Sequence, residues 1–194
     1  MEATSRRVEV KREIILILGG ARSGKSRFAQ RLADSLSERV LFVAPLVAMD
    51  EEMRRRIEIH KKARPSTWRT LEAPKHVAEA IREHIGDADV VILDCLTLLI
   101  SNFMENADDP EDLAALESEI ANELNQLLER KNASLIIVSN EVGMGLVPPY
   151  PSGRAYRDLL GKANQFIAER ADKVYMMIAG LPMELKALGK KDEK

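Results

Sequence analysis

The stretch GGARSGKS, from Gly19 to Ser26, decides the fold of this 194-residue chain. It follows the apolar run IILIL (14–18), and a stretch with helical periodicity begins at Lys25. A strand, a glycine-rich turn and a Lys-Ser pair that opens a helix match the P-loop pattern G-x-x-x-x-G-K-[ST]. Gly19 and Gly24 permit backbone conformations in which successive N–H groups turn inward around a phosphate. The stretch therefore predicts a phosphate-binding loop; the alternative is a tight turn without a ligand.

The residue types of this loop predict a nucleoside triphosphate bound together with Mg²⁺. The N-terminus of the following helix adds partial positive charge. Lys25 is expected to reach the β- and γ-phosphates, and the Ser26 hydroxyl is expected to hold Mg²⁺. The other loop positions expected to contact the nucleotide are Gly19, Gly20, Ala21, Arg22, Ser23 and Gly24.

A second ligand for the metal is predicted at the end of another buried strand. Asp94 directly follows the apolar run VVIL (90–93). Burial of a carboxylate there is costly unless a charged partner such as Mg²⁺ lies beside it. Asp94 also suits the N-cap of a following helix, and the two roles are compatible.

Short β-branched runs alternate with longer amphipathic stretches along the chain. Apolar runs of this kind are typical of strands that are covered on both faces in a parallel sheet. Right-handed crossovers then place helices on both sides of the sheet. We therefore predict an α/β, P-loop NTPase-like fold of RecA-like type with a mostly parallel sheet. The predicted strands cover 14–18, 40–44, 90–93, 135–139 and 174–179, and the predicted helices cover 25–36, 50–63, 74–84, 110–130 and 154–170.

Length and composition predict one cytoplasmic domain. A chain with 45% hydrophobic residues suffices for one core, expected over 13–188 between a flexible arm (1–12) and a charged tail (189–194). Its 29 basic and 31 acidic residues produce no global field that would hold nucleic acid or an anionic membrane. The early apolar run is too short for a membrane span or a signal-peptide core, and the single cysteine, Cys95, fits a reducing compartment.

His60 lies in RRRIEIHKKARP (54–65), where a helical pattern meets a proline. Met53, Ile57 and His60 have the spacing i, i+4 and i+7, so they share the inward stripe of the predicted helix. A histidine at such a position is a nucleophile, a partner of the helix dipole or a hydrogen-bonded core residue. Periodicity does not decide between these roles.

Five blocks of sequence, GGARSGKS, DEEMRRRIEIHKKARPSTWRTLE, VVILDCLTLLISN, VSNEVGMGLVP and YRDLLGKANQ, carry a family resemblance. In their order and spacing, from Ile14 to Lys186, they resemble the bifunctional adenosylcobinamide kinase/adenosylcobinamide-phosphate guanylyltransferase family. The resemblance implies that adenosylcobinamide is phosphorylated with ATP or GTP. It then implies transfer of GMP from GTP to that phosphate, which gives adenosylcobinamide-GDP and pyrophosphate. The guanylyl carrier implied by the resemblance is the histidine of the second block, His60.

The chemistry of this step suits the residues around His60. A neutral imidazole can attack the α-phosphorus of GTP and expel pyrophosphate when cations and Mg²⁺ neutralise the phosphate charge. Lys61, Lys62 and Arg64 flank the histidine, and the guanidinium fork of Arg64 suits bidentate phosphate contact. Because only the neutral imidazole is nucleophilic, activity is expected to fall at acid pH.

The resemblance also implies a nucleotide site that extends beyond the P-loop. Its implied lining is Ala44, Pro45, Leu46, Lys61, Lys62, Ala63, Arg64, Glu72 and Asp94. Pro45 departs from the family pattern, which usually has threonine there, and it removes both a backbone donor and a hydroxyl. Glu72 suits a hydrogen bond from a ribose or a guanine edge; the alternative is an ordinary surface glutamate.

Asn140 and Glu141 follow the fourth predicted strand, at the sheet edge where open α/β sheets bind ligands. They are candidates to orient the accepting hydroxyl or a metal-bound water. The glycine- and proline-rich loop over 143–151 is either a substrate lid or a structural connection. Arg154 and Arg157 open the next helix and suit either phosphate contact or solvation.

Two other classes of function remain open from the residues alone. A P-loop small-molecule kinase without nucleotidyl transfer would use Lys25 and Asp94 and leave His60 dispensable. A non-catalytic GTP-binding interaction protein would bind nucleotide with little turnover. The resemblance favours the bifunctional enzyme, and it implies a corrinoid substrate and a homo-oligomer such as a trimer.

Overall fold

The computed structural model describes residues 12–46, 64–107, 109, 112–129 and 132–189. The strands in these ranges are β1 (Ile14–Gly19), β2 (Val40–Ala44), β3 (Arg69–Glu72), β4 (Val90–Asp94), β5 (Ser134–Val138), β6 (Lys173–Ile178) and β7 (Leu181–Glu184). The helices are α1 (Lys25–Leu36), α2 (Val77–His84), α3 (Leu96–Glu105), α4 (Leu113–Leu128), α5 (Pro151–Arg170) and α6 (Leu185–Gly189). None of the described helices is both long and apolar enough to cross a bilayer.

The described strands form one seven-stranded sheet in the order β3-β2-β4-β5-β1-β6-β7. Every pair is parallel except β6 with β7, which is antiparallel. The P-loop strand β1 lies inside the sheet, where Leu16 is opposite Ile137 of β5 and Val174 of β6. Because the carboxyl ends of parallel strands meet at one edge, the residues after β1, β2, β3, β4 and β5 converge there.

Apolar side chains cover both faces of the sheet. Helices α2, α3, α4 and α5 pack on one face, against strand residues such as Leu16, Leu93 and Ile137. On the other face, α1 packs through Ala29 and Ala33 against strand side chains. These side chains alternate along each strand with those that point to the first face. This arrangement confirms the predicted α/β, P-loop NTPase-like fold, with a mostly parallel sheet and helices on both faces.

Two carboxylates satisfy backbone donors at helix starts on the multi-helix face. Asp112 is the N-cap of α4, and its side chain accepts a hydrogen bond from the N–H of Ala115 (3.0 Å). Glu123 of α4 accepts a hydrogen bond from the N–H of Ala78 in the first turn of α2 (2.7 Å). Only 7% of Glu123 is exposed, so this bond links α4 to α2 inside the protein.

The five predicted strands are present, and β3 and β7 are additions to them. Helix α1 has the predicted bounds, whereas α2 begins at Val77 and α5 begins at Pro151, three residues before the predicted start. Proline is favoured in the first helical turn because its missing N–H has no partner there, which explains the earlier start of α5. Helices α3 and α6 were not among the predicted elements. The helix predicted over 50–63 lies outside the described residues, as do the arm and the tail apart from Arg12 and Gly189.

Candidate nucleotide-binding site

The backbone of the loop between β1 and α1 requires glycine at two positions. Gly19 has φ +148°, and a Cβ there would lie 2.6 Å from the carbonyl oxygen of Met177. Gly24 has φ +95°, and a Cβ there would lie 3.3 Å from Cα of Gly180. The N–H of Gly180 donates to the carbonyl of Ser23 (3.0 Å), so the turn after β6 contacts the P-loop and supports it. These contacts explain the glycine pattern found in the sequence.

Lys25 is held inside the loop. Only 8% of the residue is exposed, and its Nζ donates to the carbonyl oxygen of Gly20 (2.7 Å). Burial lowers the pKa of Lys25, while the nearby Cys95 and Asp94 act in the opposite direction. Lys25 therefore lies between the P-loop backbone and the carboxyl end of β4.

Asp94 ends β4 and is half-buried at the same edge of the sheet. It is aligned with Val138, the last residue of β5. Its negative charge raises the pKa of both Lys25 and Arg64 against the effect of burial, so the carboxylate lies near two cations. The N-cap of α3 is Cys95 rather than Asp94, so the capping alternative considered for Asp94 does not hold.

Arg64 brings the segment after the undescribed residues 47–63 onto this edge. Its guanidinium carbon lies 3.4 Å from the ring centroid of Phe42, and its Nη1 donates to the hydroxyl of Thr70 (3.3 Å). Burial lowers the pKa of Arg64, and the charges of Asp94 and Glu72 raise it. The guanidinium thus lies over β2, between carboxylates at the ends of β3 and β4.

The residues after β2 are fixed by side-chain contacts that the sequence analysis missed. Pro45 is buried, and its carbonyl accepts a hydrogen bond from Nδ2 of Asn102 (2.9 Å). The same Nδ2 donates to the carbonyl of Pro74 (2.8 Å), so one amide on α3 fixes the ends of two segments. Ala44 accepts a hydrogen bond from the N–H of Ala73 (3.0 Å). The loop Ala44–Leu46 therefore has a defined position although Pro45 lacks an N–H.

Asn140 and Glu141 lie beside the P-loop. The N–H of Glu141 donates to the carbonyl of Gly19 (3.0 Å), and Oε1 of Glu141 accepts from the N–H of Gly143 (2.6 Å). Asn164 of α5, which is 6% exposed, donates to the carbonyl of Asn140 (3.1 Å). Asn164 is a second residue that sequence reasoning missed, because nothing in its local pattern distinguishes it from other helix-face amides.

The two arginines considered for phosphate contact have other partners. Arg154 donates through Nη1 to the carbonyls of Pro148 (3.1 Å) and Pro149 (2.9 Å). Arg157 pairs with Asp158, with 3.1 Å between Nη2 and Oδ1. Arg154 therefore anchors the loop that precedes α5.

The structure brings most of the predicted site residues to one edge. Those at the carboxyl ends of the strands or in the P-loop are Gly19, Gly20, Ala21, Arg22, Ser23, Gly24, Lys25, Ser26, Ala44, Pro45, Leu46, Arg64, Glu72, Asp94, Asn140 and Glu141. The predicted nucleophile His60 and its neighbours Lys61, Lys62 and Ala63 lie outside the described residues.

The donors available for a metal at this edge are few. Within the described ranges, no group of three or more His, Cys, Asp or Glu side chains is arranged to hold a metal ion. Ser26 at the start of α1 and Asp94 at the end of β4 supply a hydroxyl and a carboxylate. Mg²⁺ typically uses one or two carboxylates together with substrate phosphates, so this donor set fits Mg²⁺ better than a metal with an all-protein cage.

Comparison with known proteins gives one consistent result. Residues 15–185 match the family model described as cobinamide kinase / cobinamide phosphate guanyltransferase. The chain is 38% identical to the bifunctional adenosylcobalamin biosynthesis protein CobU of Escherichia coli (strain K12), over 89% of this chain and 99% of that protein. It is 44% identical to the bifunctional adenosylcobalamin biosynthesis protein CobP of Pseudomonas aeruginosa, over 88% of this chain and 96% of that protein. A solved structure of a Pyrococcus horikoshii OT3 protein, Project ID PH0250, has a TM-score of 0.53 at 9% identity, over 91% of this chain and 88% of that one, which indicates a shared fold alone.

Proposed function

Because the chain belongs to the cobinamide kinase / cobinamide phosphate guanyltransferase family, we propose that it carries out both reactions of that name. It phosphorylates adenosylcobinamide with ATP or GTP, and it then transfers GMP from GTP to adenosylcobinamide phosphate. The products of the second reaction are adenosylcobinamide-GDP and pyrophosphate. The reactions belong to cobalamin biosynthesis, and we place them in the cytoplasm, where nucleoside triphosphates are available.

The observation that carries this proposal is the position of the buried Lys25 ammonium. It lies inside a glycine-bounded loop and next to the carboxylate that ends β4. The Gly20 carbonyl is a neutral partner that a phosphate oxygen can replace at little cost, because Gly20 is itself exposed. An anion that enters the loop meets the ammonium, the N-terminus of α1 and inward N–H groups together.

In the kinase step, the hydroxyl of the aminopropanol arm attacks the γ-phosphorus of ATP or GTP, and the nucleoside diphosphate leaves. Positioning and charge neutralisation supply most of the catalysis in such transfers. Lys25 binds the β- and γ-phosphates, and Asn140 and Glu141 orient the hydroxyl. Ser26 and Asp94 would hold Mg²⁺, which would supply further neutralisation of phosphate charge.

In the transferase step, the imidazole of His60 attacks the α-phosphorus of GTP, and the bond to pyrophosphate breaks. The phosphate of adenosylcobinamide phosphate then attacks the same phosphorus, and the P–N bond to His60 breaks. Arg64 is placed to support this step, because its guanidinium is already fixed over Phe42 at the nucleotide edge. Lys61 and Lys62 add positive charge in the same stretch of sequence.

Product analysis with two variants tests the proposal. The wild-type protein, incubated with adenosylcobinamide, GTP and Mg²⁺, is expected to form adenosylcobinamide phosphate first and adenosylcobinamide-GDP second. His60→Ala is expected to stop at the phosphate, whereas Lys25→Ala is expected to lose both products. The matched control is His84→Ala, because the imidazole of His84 is exposed and bonds to the carbonyl of Ala80 in its own helix (2.8 Å). Formation of adenosylcobinamide-GDP by His60→Ala would refute the proposed carrier.

We further propose that the chain works as a homo-oligomer, with a trimer as the first candidate. Support comes from apolar side chains that the single chain leaves exposed on β7 and α6, including Leu181 (70%) and Leu188 (53%). Patches of this kind are typical of protein–protein contact surfaces. Sedimentation equilibrium tests the proposal, and a monomer at working enzyme concentration would contradict it.

A further inference from the structure

An open apolar groove lies between the C-terminal half of α3, the start of α4 and the first turns of α5. Its walls include Met104 of α3, Leu113 of α4, and Pro151, Ala155 and Tyr156 of α5. Its volume is about 890 Å³, near the upper end of the roughly 300–1,000 Å³ typical of small-molecule sites. Neither the P-loop nor any residue of the proposed nucleotide site lines it.

The inner wall of the groove adjoins the nucleotide site. The hydroxyl of Tyr156 donates to the carbonyl of Thr97 (3.3 Å), in the first turn of the helix that begins directly after Asp94 and Cys95. Burial raises the pKa of Tyr156 to about 12, with a smaller contribution from Cys95. Since Cys95 acts on the pKa of both Tyr156 and Lys25, both side chains lie near this segment. A ligand in the groove can therefore extend one end toward the carboxyl edge of β4.

The loop before α5 packs through Pro148 against Gly153, a residue of the groove, and it carries exposed apolar side chains. Met144 is 80% exposed and Leu146 is 96% exposed. The loop is fixed to α5 by Arg154, and a Cβ on Gly153, which lines the groove, would lie 2.8 Å from Cβ of Pro148. Exposed apolar groups near a concave surface are typical of ligand-binding surfaces.

We propose that this groove holds the corrin ring of the acceptor substrate, and this rests on the proposed function. A corrin is a broad macrocycle with an apolar body and an amide-bearing rim. The apolar walls match the ring body, while Ser101 and Ser152 at the groove supply hydroxyls for the amides. With the ring in the groove, the aminopropanol arm passes Tyr156 and presents its hydroxyl near Asp94. The exposed apolar side chains of Met144 and Leu146 pack over the ring.

Protection from chemical labelling tests this placement without relying on catalysis. Ser152→Cys puts a thiol at the groove, and its reaction with a maleimide is followed by peptide mass spectrometry at position 152, so that Cys95 does not interfere. Adenosylcobinamide at about ten times its Kd is expected to slow labelling about tenfold. The control is Glu169→Cys, because Glu169 lies on the same helix with its side chain 74% exposed and outside the groove. Its labelling rate is expected to stay unchanged.

A groove-filling variant supplies the kinetic test. Ala155→Trp is expected to raise the KM for adenosylcobinamide at least about tenfold, because it removes binding shared by the ground and transition states. Rates are normalised to the amount of protein that becomes guanylylated by GTP alone, so misfolded protein does not count. The control variant Glu169→Trp is expected to keep the wild-type KM.

The remaining outcomes separate this proposal from the proposed function. Conversion of adenosylcobinamide without protection of position 152 and with an unchanged KM in Ala155→Trp would overturn the groove proposal alone. Slow labelling of position 152 without corrinoid, relieved by dilution, would overturn it in favour of a contact between copies of the chain. No conversion of adenosylcobinamide by the unsubstituted protein would overturn both proposals.

Discussion

The ammonium of Lys25 is kept inside the protein at a cost to stability. Burial lowers the pKa of Lys25, so the folded protein binds this proton less tightly than the unfolded chain does. The unfolded chain therefore binds more protons than the folded one in the range between the lowered pKa and the ordinary lysine pKa of 10.5. It follows that the Lys25 contribution destabilises the fold below that range, and that the penalty is relieved as pH rises through it.

At the residue scale, we therefore expect Lys25→Met to gain stability while losing both activities. The gain is expected to be on the order of 1 kcal/mol at pH 7, since buried charges at functional sites commonly cost this much. Urea unfolding at pH 7 and at pH 10 measures it, and the advantage over wild type is expected to shrink at the higher pH. A variant that is less stable than wild type at pH 7 would contradict the account.

Lys173→Met is the matched comparison for this substitution. Lys173 lies at the amino end of β6, and its hydrogen bond to Glu13 (2.7 Å) raises its pKa. The effect on stability is therefore opposite to that of Lys25. Lys173 stabilises the fold below pH 10.5, and this stabilisation is lost as pH rises through the raised pKa. Because the pair is partly exposed, the loss is expected to be under about 1 kcal/mol. Activity is expected to be retained.

Two glycine substitutions are expected to have opposite effects on stability. Gly19→Ala would force a Cβ to within 2.6 Å of the Met177 carbonyl at φ +148°, so we expect a loss of at least about 2 kcal/mol and of nucleotide binding. Gly161→Ala lies in α5 with open space around the added Cβ, so we expect a gain of about 0.5–1 kcal/mol. Thermal unfolding followed by circular dichroism measures both. Equal effects of the two substitutions would show that the P-loop is not packed as described.

At the scale of elements, Glu123 joins two helices through one buried bond. Its Oε1 accepts a hydrogen bond from the N–H of Ala78 in the first turn of α2, where a negative charge also complements the helix dipole. Glu123→Ala is therefore expected to destabilise the protein by about 1–3 kcal/mol in urea unfolding. Glu119→Ala, at an exposed position one turn earlier in the same helix, is expected to stay within about 0.5 kcal/mol of wild type. A loss of similar size in both variants would rule out this coupling.

The sequence was sufficient for elements whose residues are buried on both faces. Strands such as β4 (VVILD) read as continuous apolar runs, because their burial leaves no polar face. Strand β3 (RTLE) has mostly exposed side chains, and β7 (LPME) carries a proline on the sheet edge, so neither has a pattern of its own. These edge strands exist because a neighbouring strand offers backbone hydrogen bonds, which no local pattern reports. Helix α3 (LTLLISNFME) was missed for a different reason, since its apolar residues follow β4 almost without interruption.

At the scale of the whole molecule, some residues of the site could be predicted from the sequence and others could not. The P-loop was readable because its residues are contiguous and their types are dictated by phosphate binding. The role of Asn102 could not be predicted from the sequence, since its partner Pro45 lies 57 positions away. The two residues meet only in the folded protein. Tyr156 and Thr97 lie 59 positions apart and were missed on the same ground. Residues that position a site are brought together by the topology of the fold, so the local sequence does not reveal them. Residues that bind phosphate directly form a motif that the sequence shows.

The central claim is that one chain joins a P-loop to a histidine that carries GMP. The measurement that tests it most directly is incubation with GTP labelled at either the α- or the γ-phosphate, followed by denaturation and detection of label on the protein. The account predicts an acid-labile covalent label from the α position only, present in His76→Ala and His84→Ala and absent in His60→Ala. A label from the γ position, or an α label that persists in His60→Ala, would contradict it.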